Sequence, residues 1–153
     1  MRKIPALLAA LSLAGLGALV PATGAQAASA YCDNAWKKAS SGYFYAFDGT
    51  HCRARLGQTQ GNDANWGTRG GGFEGDSNKA SSILHKGTSG LAVEVYDGTA
   101  YRGANACIKK SEYYVSDLTD DSLRSSGGGR TSANNSISSH RWVQASTCGS
   151  FLH

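Results

Sequence analysis

The chain has 153 residues, of which 20 are glycine and four are cysteine, and its formal net charge is +4. This length is sufficient for one compact domain with a hydrophobic core of its own. Acidic and basic residues are nearly balanced and no basic run is present, so the chain lacks the electrostatic footprint of a nucleic-acid-binding protein.

The N-terminus has the pattern of a secretory signal peptide. Two basic residues follow the initial methionine, an apolar run extends to Val20, and small-x-small cleavage candidates end at Ala27 and Ala30. No stop-transfer charges follow the apolar run, which disfavours a membrane anchor. We therefore predict a signal peptide over residues 1–27 and an exported, extracellular protein. Loss of this segment removes two basic residues and lowers the net charge to about +2.

The first part of the mature chain reads as a lead-in followed by short strands. Residues 28–42 are the lead-in, with one helical turn expected near Trp36 and no long helix anywhere in the chain. A domain is predicted over residues 43–153. Strands are predicted in its first half at 43–47, 51–59 and 82–85. Trp66 and Phe73 lie in a region rich in glycine and asparagine, and we expect both to point into the core.

The second half shows strand periodicity more clearly. Leu91, Val93 and Val95 alternate with other residues, which is the period of a half-buried strand. Glycine and serine dominate residues 125–129, which predicts a flexible loop. Further strands are predicted at 101–109 and 137–143, and residues 113–118 are expected to make apolar contacts with the core. Four short strands in each half favour two Greek keys packed face to face.

Each half contains the same two sequence features in the same order. Phe47-Asp48-Gly49-Thr50 matches Tyr96-Asp97-Gly98-Thr99, which follows 49 residues later. Ser77–Ser82 matches Asn134–Ser139, which follows 57 residues later. Repetition at near-constant spacing indicates a duplicated supersecondary unit. The longer spacing between the second pair of copies indicates an insertion in the second unit, which the glycine- and serine-rich stretch can supply. We place the two motifs at about 43–87 and 91–145.

All four cysteines lie in the predicted mature chain, at Cys32, Cys52, Cys107 and Cys148. An even number of cysteines in an exported chain predicts two disulfides. Three pairings are possible, and pairing within each half is favoured, because two cysteines fall in each. No Cys-x-x-Cys spacing occurs, which disfavours a zinc site or a redox motif.

The second unit resembles the βγ-crystallin Greek-key motif in its microbial calcium-binding form. The resemblance rests on Tyr96, Tyr101 and Gly103 in an aromatic corner, followed by Asn134-Asn135-x-x-Ser138-Ser139. It implies an all-β fold in which two Greek keys form a sandwich. The first unit departs from the motif at three positions. Cys52 replaces an aromatic residue, Ala54 replaces glycine, and Ser77 replaces asparagine or aspartate.

An exported chain of this kind with four cysteines also looks like the secreted actinobacterial peptidase inhibitors of βγ-crystallin fold. Relatives of the Streptomyces metalloprotease inhibitor and killer-toxin-like proteins form this group. The resemblance implies a secreted inhibitor of an extracellular protease, with metalloproteases among the candidate targets, acting as a monomer. The alternative is a calcium-stabilised extracellular binding module or toxin-like antimicrobial factor that inhibits no protease. The candidate inhibitory segments are the turn at 97–99 and the loop at 124–131.

The resemblance implies two calcium sites, each combining the loop of one unit with the turn of the other. The first set is Asp48, Asn134, Asn135, Ser136 and Ser138. The second set is Asp97, Asn78, Lys79 and Ser81, with Ser136 and Lys79 contributing backbone carbonyls. Calcium prefers hard oxygen ligands, and so few charges predict weak affinity. Alternatively, these side chains bond to neighbouring backbone and hold the loops without metal, which is the simplest role for Ser82 and Ser139.

The sequence gives weaker signals for a histidine metal site or a hydrolase active site. The four histidines have no metal-binding spacing, and no Gly-x-Ser-x-Gly elbow is present. We interpret the histidines as core or surface residues, and we do not expect an enzyme.

Overall fold

A computed structural model describes the backbone of residues 23–153 and the side chains of residues 30–153. Almost all of the predicted signal peptide lies outside the described residues. Helix α1 is followed by nine strands and two short 3-10 helices, at Lys110–Glu112 and Ala145–Thr147. The helix and strands are α1 (Thr23–Lys38), β1 (Phe44–Gly49), β2 (Arg53–Thr59), β3 (Ser82–His85), β4 (Ala92–Tyr96), β5 (Asn105–Ile108), β6 (Tyr114–Val115), β7 (Ser122–Arg124), β8 (Arg130–Ser132) and β9 (Ser139–Val143). Within the described part of the chain, no helix is long and apolar enough to cross a membrane.

The strands form two antiparallel sheets that are linked by an exchange between the two units. Sheet 1 has the order β2-β1-β3-β6, and sheet 2 has the order β8-β7-β5-β4-β9. Strand β6 comes from the second unit but pairs with β3 of the first. In return, Asp63 of the first unit bridges to His140 on β9 of the second. Two antiparallel sheets built from the two units confirm the prediction of an all-β sandwich of two Greek keys.

Residues 125–129 form a loop, as the sequence predicts. This loop connects β7 and β8 in a hairpin and is closed by a bond from the Ser125 N–H to the Gly129 carbonyl (3.0 Å). Leu123 is fully buried and fixes the hairpin to the core. The insertion that lengthens the second unit therefore extends sheet 2 through its pairing with β5.

The main core fills the space between the two sheets. Trp66 and Phe73 are fully buried and stack with ring centroids 4.2 Å apart, which confirms their inward orientation. Phe44 packs against both rings. Inward-facing residues from both sheets complete the core, and they include Ile83, Val93, Val95, Ile108, Val115, Leu118 and Ile137.

A second apolar cluster lies on the outer face of sheet 1, where α1 covers it. Tyr45, Phe47 and Leu84 contact the helix through Ala35 and Trp36. The helix is much longer than the single turn that we expected. Sequence periodicity alone did not reveal it, because tertiary packing against this outer face supplies most of the stability of such a helix.

Both disulfides join cysteines of the same half, as favoured by the sequence. Cys32 on α1 is bonded to Cys52, immediately before β2, and Cys107 on β5 is bonded to Cys148 near the C-terminus. The first disulfide holds the helix against its own unit. The second holds the C-terminal segment beside β5, where the Cys107 N–H donates to the Ser150 carbonyl.

Candidate metal centre

The two aromatic corners are each held by a buried serine of the same unit. Ser82 Oγ donates to the Gly49 carbonyl (2.8 Å) and accepts from the Cys52 N–H (2.9 Å). Ser139 Oγ donates to the Gly98 carbonyl (2.6 Å) and accepts from the Tyr101 N–H (3.2 Å). The interpretation of Ser82 and Ser139 as hydrogen-bonding staples is confirmed.

Left-handed backbone occurs at matched positions of the two corners, which shows how closely the units correspond. The matched pairs are His51 and Ala100, Cys52 and Tyr101, and Ala54 and Gly103. Glycine is required at Gly103, because its φ is +90° and a Cβ there would lie 2.0 Å from Asp97 Oδ1. That oxygen instead accepts from the Ala104 N–H (2.8 Å), which fixes the Asp97 side chain.

The two asparagine loops interlock across the boundary between the units. Ser138 Oγ donates to Asn78 Oδ1 (3.0 Å), and Ser81 Oγ donates to Asn135 Oδ1 (3.4 Å). Both asparagines have a positive φ, at +61° and +53°. The loops are also joined through their backbones, because the Asn78 N–H donates to the Ile137 carbonyl and the Asn135 N–H donates to the Ala80 carbonyl. The two loops therefore form one polar junction with two matched ends.

The resemblance implied that Ser138 lies with Asn135 and that Ser81 lies with Asn78. In the structure each serine instead contacts the asparagine of the other set. Ser138 lies beside Asn78, and its N–H donates to the carbonyl of Tyr96, next to Asp97. Ser81 lies beside Asn135, and its N–H donates to the carbonyl of Phe47, next to Asp48. Each end of the junction thus combines the asparagine of one loop with the serine of the other.

The other predicted ligands lie around these two ends. Asn134 Oδ1 and Ser77 Oγ, which occupy equivalent loop positions, are buried without a hydrogen-bond partner. Ser136 Oγ donates to the Asn134 carbonyl (3.2 Å). Lys79 directs its amine to Asp76 (3.2 Å), so only its backbone carbonyl could face a metal. Among the described residues, no cluster of three or more histidine, cysteine, aspartate or glutamate side chains could hold a metal.

The buried oxygens suit calcium better than a transition metal. Amide, hydroxyl and carbonyl oxygens are hard ligands of the kind that calcium takes. A buried polar atom without a partner calls for an explanation such as a bound ion, and Asn134 Oδ1 is such an atom. Asp48 and Asp97 are the carboxylates adjacent to the two ends. The residues present therefore fit calcium, although with little negative charge at either end.

The two buried histidines are hydrogen-bonded core residues, as the sequence suggested. Trp66 Nε1 donates to His140 Nδ1 (2.9 Å), and His140 Nε2 contacts the Gly61 carbonyl (3.2 Å). Burial lowers the pKa of His140 to about 3, so the ring is neutral near pH 7. Burial also lowers the pKa of His85, whose Nε2 lies 2.9 Å from the Leu91 carbonyl.

Comparison with known proteins identifies the fold. A solved structure described as "Evolution of the eye lens beta-gamma-crystallin domain fold" matches the chain with a TM-score of 0.52 and 14% identity. The match covers 69% of this chain and 89% of that chain. No protein-family model and no curated protein matches the sequence. The likeness shows that the chain has the βγ-crystallin fold.

Proposed function

We propose that the protein is an exported calcium-binding module, in which calcium stabilises the junction between the two Greek keys. Its two disulfides support export, because disulfides persist mainly in oxidising compartments. The observation that carries the proposal is the pair of oxygen contacts between the loops. A hydroxyl of one loop meets an amide oxygen of the other at both ends of the junction.

Each contact can serve either the metal-free or the calcium-bound protein. Without metal, the serine hydroxyl donates its proton to the asparagine oxygen. With calcium, both oxygens can turn toward the ion, because a hydroxyl and an amide oxygen are both acceptable ligands. The residues that would hold calcium at one end are Asn78, Lys79, Ser138 and Asp97. Those at the other end are Asn134, Asn135, Ser136, Ser81 and Asp48.

Affinity should be weak, because each end includes only one carboxylate. We expect dissociation constants of about 10⁻⁴ to 10⁻³ M, the range of extracellular calcium modules. A ligand that binds only the folded state raises the melting temperature by mass action. The melting temperature should therefore rise progressively with millimolar calcium chloride and much less with magnesium chloride. A melting curve unchanged by calcium would leave the loops as purely hydrogen-bonded staples.

A double-mutant cycle tests which residues share a site. Ser138→Ala should reduce the calcium response more than Ser81→Ala, because Asp97 is fixed by its bond to Ala104 whereas Asp48 is exposed. Asn78→Gly preserves the left-handed backbone while removing the amide oxygen. Its effect on the calcium response should be non-additive with Ser138→Ala and additive with Ser81→Ala. The reverse pattern would contradict the exchanged sets.

A second candidate function is protease inhibition through the β7–β8 hairpin. Its tip is exposed, closed by hydrogen bonds, and flanked by Arg124 and Arg130. Arg124 pairs with Asn105 on β5, the strand that also carries the disulfide-bonded Cys107. A segment ordered in advance loses less entropy when it enters a protease cleft. This bracing favours the hairpin over an unsupported glycine loop.

A small protease panel tests this second function. It should include a thermolysin-like metalloprotease and a subtilisin-like serine protease, with recovery of the intact chain checked after incubation. Deleting Gly127–Gly129 should abolish inhibition if the hairpin is the inhibitory segment. Inhibition that survives the deletion would exclude the hairpin and point to the turn at 97–99. No inhibition at micromolar protein would leave the calcium-binding module alone.

A further inference from the structure

An open cleft of about 690 Å³ lies between helix α1 and the segment around β6. Its size is within the range of small-molecule sites. Aromatic and carboxylate side chains dominate its lining, which includes Asp33, Trp36, Glu112, Tyr113, Tyr114 and His153. None of these residues takes part in the proposed calcium sites or in the hairpin.

Tyr113 stands at the mouth of the cleft in a strained conformation. Its φ is +62°, which is rare for a bulky residue. The residue is 52% exposed, although its backbone is held in place because its carbonyl accepts from the His85 N–H (2.7 Å). Strained residues that the surrounding structure maintains often occur at binding sites. Tyr113 also lines two smaller depressions beside the cleft, and we refer to its exposed ring, which these three hollows share, as the ridge.

Trp36 supplies an unsatisfied donor beside this ridge. Its ring meets Tyr113 edge-on with centroids 5.2 Å apart, and its indole N–H is buried without a partner. The other two tryptophans differ in this respect, because Trp66 Nε1 donates to His140 and Trp142 Nε1 donates to the Gly61 carbonyl. The unpaired N–H and the contact with Tyr113 make the Trp36 indole a sensitive reporter of changes at the ridge.

The carboxylates of the cleft supply acceptors. Tyr114 donates its hydroxyl to Asp33 Oδ1 (2.8 Å). Burial and this carboxylate raise the pKa of Tyr114 to about 12, so the hydroxyl remains a donor. Glu112 forms no hydrogen bond or ion pair with the described side chains and is free to accept from a ligand.

From these features we propose that the cleft binds a neutral saccharide, with one sugar ring stacked on Tyr113 and its hydroxyls bonded to the polar lining. Hydroxyl groups both donate and accept, so they can bond to the carboxylates and to the tyrosine hydroxyls of the lining together. A cation would meet Lys37 in the lining and Lys86, whose amine lies 2.9 Å from the centroid of the Trp36 ring. An anion would be repelled by the carboxylates of Asp33 and Glu112, and the lining contains a single lysine, Lys37, to offset them. The apolar face of a sugar ring suits the exposed aromatic ridge.

Nuclear magnetic resonance of the intact, nitrogen-15-labelled protein tests the proposal, with chitotriose and cellotriose as probes. Each sugar is added to about 10 mM, where even a site with a dissociation constant of about 1 mM would be mostly filled. The indole resonance of Trp36 should move, whereas those of Trp66 and Trp142 should stay in place. The same shift should appear in the presence of a calcium chelator, which separates this site from the calcium proposal. Failure of both sugars to move the Trp36 resonance, or equal movement of all three indole resonances, would overturn the proposal.

Variants of the ridge make the test specific. Tyr113→Gly removes the ring and accepts the positive φ, so the fold should persist and sugar affinity should fall by about tenfold or more. Tyr113→Phe keeps the ring and should bind within about twofold of the parent, because stacking dominates. Tyr31→Ala is the matched control, because Tyr31 is also half exposed, at 50%, but does not line the cleft. Unchanged affinity in Tyr113→Gly, or an equal loss in Tyr31→Ala, would refute the assignment.

Discussion

The outer faces of the two sheets carry opposite chemistry at equivalent positions. On sheet 1, Tyr45 is paired with Leu84 across β1 and β3, and helix α1 covers both. On sheet 2, Glu94 is paired with Arg141 across β4 and β9, and an ion pair of 3.0 Å joins them. The Greek key therefore allows the outer face of its sheet to carry either an apolar pair or a charged pair at these positions. An apolar pair needs a covering element, whereas a charged pair can face solvent without one.

The inner faces differ in a corresponding way. Ile83 on β3 and His140 on β9 occupy equivalent positions in the duplicated sequence, and both are fully buried. The first unit places a plain hydrophobic residue there. The second unit places a titratable ring whose two nitrogens are both hydrogen-bonded. His140 should therefore make the larger contribution to the acid sensitivity of the core, beside a contribution from His85 of the first unit, whose pKa burial also lowers.

The largest expected effect is a loss of stability in acid caused by His140. Burial lowers its pKa to about 3, compared with 6.5 in the unfolded chain, so the unfolded state binds more protons between these values. The free energy of unfolding should fall by about 1.4 kcal/mol per pH unit as the pH drops below 6.5, and the loss should be complete near pH 3. Urea unfolding at pH 7 and pH 4 measures this slope.

His140→Gln is the matched control for the acid effect. Glutamine can still accept from Trp66 and donate to Gly61, but it does not titrate. The variant should show a smaller difference between pH 7 and pH 4 than the parent. An equal difference would mean that other groups, with His85 first among them, cause the acid sensitivity.

A smaller effect is expected on the outer faces, where the loss of stability on substitution should differ between the apolar pair and the charged pair. Leu84→Ala removes a fully buried side chain beneath α1 and should lower the free energy of unfolding by about 3 kcal/mol. Arg141→Ala should lower it by less, about 2 kcal/mol, because the arginine side chain is 44% exposed but the Glu94 side chain that loses its cation is only 8% exposed. Thermal or urea unfolding of both variants gives the comparison. Equal losses would show that the ion pair matters as much as helix cover.

The smallest effects should be of opposite sign at the two corners. Ala54 has a φ of +53° where the second unit has Gly103. Ala54→Gly should therefore stabilise the protein by about 0.5–1 kcal/mol, since glycine adopts this conformation without strain. Gly103→Ala should destabilise it by about 2 kcal/mol, because the new Cβ would displace the Asp97 carboxylate. Changes of the same sign would show that the corners are not equivalent.

The departures of the first unit from the repeated pattern have a structural explanation that the sequence did not supply. Cys52 stands where the second corner has Tyr101, and its disulfide to Cys32 anchors the helix that covers this unit. The sequence showed the substitution and favoured the right cysteine partner. It did not show the length of the helix, because the apolar face that the helix covers is assembled from separate strands.

The sequence alone predicted the duplication, the double Greek key, and Trp66 and Phe73 as core residues, and among three possible pairings it favoured the pairing of cysteines within each half. These features follow from local pattern, since strand period, turn residues and repeat spacing act over short stretches of chain. Only the tertiary structure determined that Ser138 meets Asn78 and Ser81 meets Asn135, because these partners are 60 and 54 residues apart. The cleft beside Tyr113 was likewise set by tertiary packing, since it forms only where helix α1 lies against a segment that is distant in the chain.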